Sequence, residues 1–145
     1  MKRNVSITII LILTFNLYMK AQDLSKHQWK NRVLLIITEN IEDQEFKNQI
    51  KKLQNNQKGL QNRKLIIYQM TSTHFKLGIS EENEWIKRPE LYNNLKSNDK
   101  TFEVILVGLD GGEKLRQNSV LTTDKLFSLI DGMPMRRAEI KRNKQ

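Results

Sequence analysis

The sequence predicts a single α/β domain built on a mixed sheet with flanking helices. Three observations predict it. Two continuous apolar runs, 32–38 and 64–70, bracket a segment of helical period, the pattern of a βαβ unit. A third apolar run, Phe102 to Leu109, ends in Asp110-Gly111-Gly112 and a short polar return, the pattern of an antiparallel hairpin. A last helical segment is bounded by Thr122 and Gly132. A length of 145 residues suits one domain, and 38% hydrophobic with 28% charged residues suits a small buried core.

Residues 1–21 are predicted to lie outside that domain. Met1-Lys2-Arg3-Asn4 is a basic start, 5–18 is mostly apolar, and Met19-Lys20-Ala21 ends in a small residue before Gln22. This is the layout of an export signal peptide, and the apolar run is shorter than the roughly 20 residues a spanning helix needs. An uncleaved anchor and a buried helix of the domain are the alternatives. No cysteine follows, so a lipoprotein anchor is excluded. The domain is then expected at 22–145, in the periplasm or secreted, and free of the membrane after cleavage.

The elements follow in order. Arg32-Val33-Leu34-Leu35-Ile36-Ile37-Thr38 reads as a strand buried on both faces. Asn40 is placed to cap a helix with Glu42, Asp43 and Glu45 in its first turn, Lys51 and Lys52 near its end, and Gly59 as its stop. Lys64 to Met70 is the second strand. The stretch 72–100 is polar and turn-prone, and within it 89–97 reads as a short helix begun by Pro89. After the hairpin, Thr122 or Thr123 caps a final helix, Gly132 stops it, and Pro134 prevents continuation. The order is β-α-β-α-β-β-α, the plan of the thioredoxin-like fold.

Composition closes several functional classes. There is no cysteine, which excludes disulfide exchange, thiol peroxidase chemistry, cysteine-ligated zinc and iron–sulfur clusters. Two histidines, His27 and His74, are too few for a multi-histidine metal site, and no metal or cofactor is expected. The net charge of +9 sits largely at the ends: Lys2, Arg3 and Lys20 in the leader, and Arg136, Arg137, Lys141, Arg142 and Lys144 against Glu139 in the tail. The basic tail, 136–145, carries no aromatic residue, so nucleic acid is not an expected partner. A solvated C-terminus is its plainest reading.

Three groups of residues bear on chemistry. Glu39, Glu42 and Asp43 crowd the corner after the first strand, where paired carboxylates serve acid–base work or simply complement a helix dipole. His74 is read in a loop after the second strand, and His27 beside Trp29, both as surface histidines. The candidate binding set is C-terminal: Asp110, Lys114, Arg116, Asp131, Arg136, Arg137 and Glu139. Arg136 is placed to pair with Asp131 or Glu139, or to bind an external carboxylate or sulfate. Met133 and Met135 read as packing residues around Pro134.

Three segments carry a family resemblance: Arg32-Val33-Leu34-Leu35-Ile36-Ile37, the run Val104 to Arg116 with its Gly108-Leu109-Asp110-Gly111-Gly112 turn, and Ile130-Asp131-Gly132-Met133-Pro134-Met135-Arg136-Arg137-Ala138-Glu139. Over about residues 24–140 the chain resembles the exported bacterial family called domain of unknown function 4174, or prokaryotic DUDES. It is also similar to DUDES domains of animal extracellular-matrix proteins. The resemblance implies a thioredoxin-like fold, distantly similar to peroxiredoxins, with no established activity. Leu109 stands where the family's turn usually has lysine.

The expectation is an exported, non-thiol module that binds a macromolecular partner or an anionic ligand. A cysteine-independent enzyme using the 39–43 carboxylates or His74 is the alternative. A concave pocket joining two of those groups would favour the enzyme. Exposed, unpaired Arg136 and Arg137 beside an apolar patch would favour binding.

Overall fold

The computed structural model describes residues 22–97 and 100–144. The predicted signal peptide, 1–21, lies outside them. The chain runs through α1 (Gln22–Ser25), β1 (Arg32–Thr38), α2 (Gln44–Gln54), α3 (Gln57–Asn62), β2 (Leu65–Met70), β3 (His74–Leu77), β4 (Trp85–Lys87), α4 (Pro89–Leu95), β5 (Phe102–Val107), β6 (Glu113–Gln117), α5 (Thr123–Asp131) and α6 (Pro134–Arg142).

The strands form one sheet in the order β4-β3-β2-β1-β5-β6. β1 and β2 are parallel, Arg32 opposite Leu65 and Ile37 opposite Met70, as the two apolar runs predict. β5 lies antiparallel to β1, with Leu35 opposite Ile105, and β6 antiparallel to β5. β1 and β5 are buried along their whole lengths because helices cover both faces of the sheet. On one face Leu34, Ile36, Leu65, Ile67, Val104 and Leu106 pack against Phe46 and Leu53 of α2, Leu60 of α3, and Leu126 and Ile130 of α5. On the other, Val33, Leu35, Ile37, Ile105 and Val107 meet Leu91 and Tyr92 of α4, with Leu24 of α1 beside them. Each fully buried aliphatic side chain contributes about 1.5–3 kcal/mol, and this double-sided burial drives the fold.

Four local readings are corrected. The stretch read as polar and irregular holds β3 and β4, a hairpin pairing Phe75 with Ile86 and extending the sheet beyond β2. The single helix expected up to Gly59 breaks at Asn55-Asn56 into α2 and α3, since asparagine gives up helix propensity for local hydrogen bonds, and Gly59 lies inside α3. Asn40 is not the cap. Its side-chain oxygen accepts from the Glu42 N–H in a turn, and α2 begins only after Asp43. Pro134 does not simply end the chain's helical structure: it is the first residue of α6, where its missing N–H costs nothing. The expected caps of α5 are found, with the Thr122 hydroxyl accepting from the Lys125 N–H and Gly132 closing the helix.

Candidate functional site

The predicted C-terminal set separates into a buried network and a surface hairpin. The network centres on Arg136, only 5% exposed. Its Nε donates to Asp131 Oδ1 at 3.2 Å and its Nη1 to Glu139 Oε2 at 3.3 Å and the Asn62 carbonyl at 2.9 Å. Two arginines that the sequence reading passed over complete it. Arg63 donates to Asp131 Oδ2 at 2.5 Å, its guanidinium lying 4.0 Å from the centre of the Phe127 ring. Arg32, wholly buried at the head of β1, donates to Glu139 Oε2 at 3.3 Å and to the Arg63 carbonyl. The tail is therefore helical over Pro134–Arg142 rather than frayed there: α6 is held against the entry edge of β1 by buried ion pairs. Burial pushes the Asp131 carboxyl up, but hydrogen bonds from Arg63 and Arg136 outweigh it and hold the group below the usual carboxylate range. Arg137, by contrast, is exposed. A signal for Arg32 was present: an arginine in a strand buried on both faces needs a carboxylate partner.

The hairpin brings Asp110 and Lys114 together, Nζ to Oδ2 at 2.6 Å. That bond, with the Gly112 N–H donating to Oδ1, holds the Asp110 carboxyl below its usual range. The Lys114 stem lies across Gly108, and Gly111 takes φ +80°, so this turn needs a glycine at 111. A cleft of about 300 Å³ joins the hairpin to the start of α6, lined by Arg32, Leu109, Asp110, Lys114, Met133, Pro134 and Met135. The expected proximity of the hairpin and the Met-Pro-Met-Arg turn is thus present. Met133 packs on the core, whereas Met135 is 42% exposed, so only the first is a packing residue.

Arg116 points away from that cleft. It donates through Nε and Nη2 to Glu113, and through Nη1 to Glu103, whose side chain is fully buried, and to the Leu95 carbonyl. It stands on the rim of a larger cavity of about 360 Å³ on the sheet face covered by α1 and α4. Val33, Leu35, Ile105 and Val107 line its base, Leu24, Leu91 and Leu95 its walls, and His27, Gln28, Asp110, Glu113 and Arg116 its polar margin. The cavity exists because α1 and α4, one and two turns long, do not fill the space over β1 and β5, although both strands stay buried. His27 is not a surface histidine. Its Nε2 lies 2.8 Å from the hydroxyl of buried Tyr68, in edge-to-face contact with that ring. Burial, then the charge of Lys26, lowers the His27 pKa below its usual value and favours the neutral ring.

A third concavity, about 350 Å³, opens at the carboxyl ends of β1 and β2 and joins Glu39 to His74, with Asn40, Thr73 and Trp85 around them. His74 opens β3 rather than standing in a loop, its Nδ1 2.8 Å from Thr73 Oγ. Glu39 is ion-paired with Lys96 and Glu42 with Lys47, while Asp43 precedes α2 without capping it by its side chain. Among the described residues no three histidine or carboxylate groups converge as a metal site, and no helix is long and apolar enough to cross a membrane.

The fold defines the class first. The structure is similar to that of a reduced 2-Cys peroxiredoxin from Plasmodium vivax, with a TM-score of 0.56 and 12% identity over 84% of this chain and 85% of that one. At that identity the likeness shows the fold alone, so this is a thioredoxin-like α/β domain. No curated protein matches the chain. The family model described as Domain of unknown function (DUF4174) matches residues 23–139, and the chain belongs to that family. Thr38, Glu39 and Asn40 occupy the corner where a thioredoxin-like redox enzyme carries its thiol, and a chain without cysteine performs no thiol chemistry there.

Proposed function

We propose that the protein acts outside the cytoplasm as a non-thiol binding module, and that a small amphipathic molecule occupies the cavity between α1, α4 and the β5–β6 hairpin. The extracytoplasmic placement rests on the signal-like pattern of 1–21. The observation that carries the ligand is the cavity itself. Its volume of about 360 Å³ falls in the range of small-molecule sites, its base is made of central-strand aliphatics, and its margin carries hydrogen-bonding groups that orient a polar end. Arg136 does not serve an external partner in this reading, because Asp131 and Glu139 already engage it.

The test uses a neutral solvatochromic dye, Nile red, titrated into the folded protein. Saturable one-site binding is expected, lost in Leu95→Trp, which fills the cavity from its wall while circular dichroism stays native. No saturable binding, or equal binding by the variant, rejects the cavity. Recovery of the protein from the periplasm or medium with its N-terminus at Gln22 tests the placement.

A cysteine-independent enzyme is favoured by one observation, the cleft joining Glu39 and His74 at the carboxyl ends of parallel strands, where α/β sheets commonly hold ligands. It ranks second because Lys96 already engages Glu39, and because Glu42 and Asp43 do not line the cleft.

A further inference from the structure

We infer that the cleft between the β5–β6 hairpin and the start of α6 is an oxyanion site, anchored by Arg32 and suited to a phosphate, sulfate or carboxylate carried on a small organic body. The inference is independent of the sheet-face cavity and rests on charge and hydrogen bonding.

The buried network sets three guanidinium groups, Arg32, Arg63 and Arg136, against two carboxylates, Asp131 and Glu139. One positive charge is unanswered within it. The deficit falls mainly on Arg32, with Arg63 Nε the other buried donor of the network left without a partner among the described residues. A single oxygen, Glu139 Oε2, serves both Arg32 and Arg136, each at 3.3 Å, long for a charge-assisted bond. Arg32 Nε and Nη2 have no hydrogen-bond partner among the described residues, although the residue is 0% exposed. Leaving such donors unmet inside a protein is costly, and more so for a charged group. Those two nitrogens share one edge of the guanidinium, the fork that matches two oxygens of an oxyanion.

Arg32 lines the cleft, and two further features there favour an anion. Lys114 stands on the hairpin side, its side chain 33% exposed and its Nζ 2.6 Å from Asp110 Oδ2, a carboxylate of the same cleft from which an anion would have to draw it. On the other side α6 follows its N-cap Met133, which offers its first turn no side-chain hydrogen bond, and that turn holds no acidic residue. Leu109, Met133 and Met135 supply apolar wall, which a bare ion would not use.

Thermal unfolding of the purified protein is followed while inorganic phosphate, sulfate, acetate or phenyl phosphate replaces chloride at constant ionic strength, with the Arg32 Nε–H resonance observed in parallel. A saturable rise in Tm and a shift of that resonance are expected, phenyl phosphate acting at lower concentration than inorganic phosphate. Met135→Glu places a carboxylate at the start of α6 and is designed to fold. It is expected to raise Tm in chloride and to weaken the anion response by about tenfold or more, the equivalent of one lost charge-assisted hydrogen bond. Lys114→Gln is expected to weaken it less. No saturable response to any of the four anions, or a response unchanged in Met135→Glu, overturns the site. Equal action of phenyl and inorganic phosphate overturns the organic body and leaves a site for the free ion.

Discussion

Asp131 shows how a single side chain acquires a role from its neighbours. In sequence it is one acid before a glycine; in the fold it receives Arg63 on one oxygen and Arg136 on the other. Its pKa is depressed in the folded state, while the unfolded chain titrates at about 3.9. The stabilisation it provides is therefore complete above about pH 4 and is lost as pH falls through the folded value. Urea midpoints measured between neutral and strongly acid pH should fall in that acid window for the native protein. In Asp131→Asn the midpoint should start lower and change less there, and parallel curves would remove Asp131 from the account of acid lability. Arg136 was legible as a pairing residue; the partners of Arg32 and Arg63 were not, because each lies far along the chain, as with the 107 positions separating Arg32 from Glu139.

At the level of elements, local pattern succeeded where it was long. The apolar runs of β1, β2 and β5 and the capped α5 were all readable, since each repeats its period or carries its own terminal residues. The β3–β4 hairpin was missed: His74-Phe75-Lys76-Leu77 alternates polar and apolar for only four residues, and β4 for three. Gly59 was read as a stop because glycine usually is one, yet it allows a helix contact. A Cβ at this position would fall 2.6 Å from the Phe127 ring of α5. Alanine in a helix normally gains up to about 1 kcal/mol over glycine, but here overpacking should make Gly59→Ala destabilising by about 1–3 kcal/mol. Adding Phe127→Leu should restore most of the loss, as measured by urea unfolding. A neutral or stabilising Gly59→Ala would show that α3 and α5 do not meet this closely.

For the whole molecule, α6 is the decisive case. A solvated tail can be removed at no cost. A helix that carries Arg136 and Glu139 into a buried network cannot, because Arg32 would lose its carboxylate and Asp131 one of its partners. Truncation before Pro134 should cost about 3–5 kcal/mol, the scale of breaking a buried ion pair, and the urea midpoint checks it. An unchanged midpoint would return 134–142 to the solvent.

The sequence by itself determined the chemistry this protein lacks and the order of its central elements. Absence of cysteine is a matter of composition, and strand or helical period is written within a few residues. It also marked the hairpin and the Met-Pro-Met-Arg turn as a place to look. Only the tertiary structure decided that the basic tail carries a helix anchored by buried ion pairs at Arg136 and Glu139, that His27 faces Tyr68 beside a cavity, and that Arg32 lies beneath a cleft with donors to spare. Such facts depend on residues brought together across the sheet and on helices too short to cover it, and no local pattern along the chain records either.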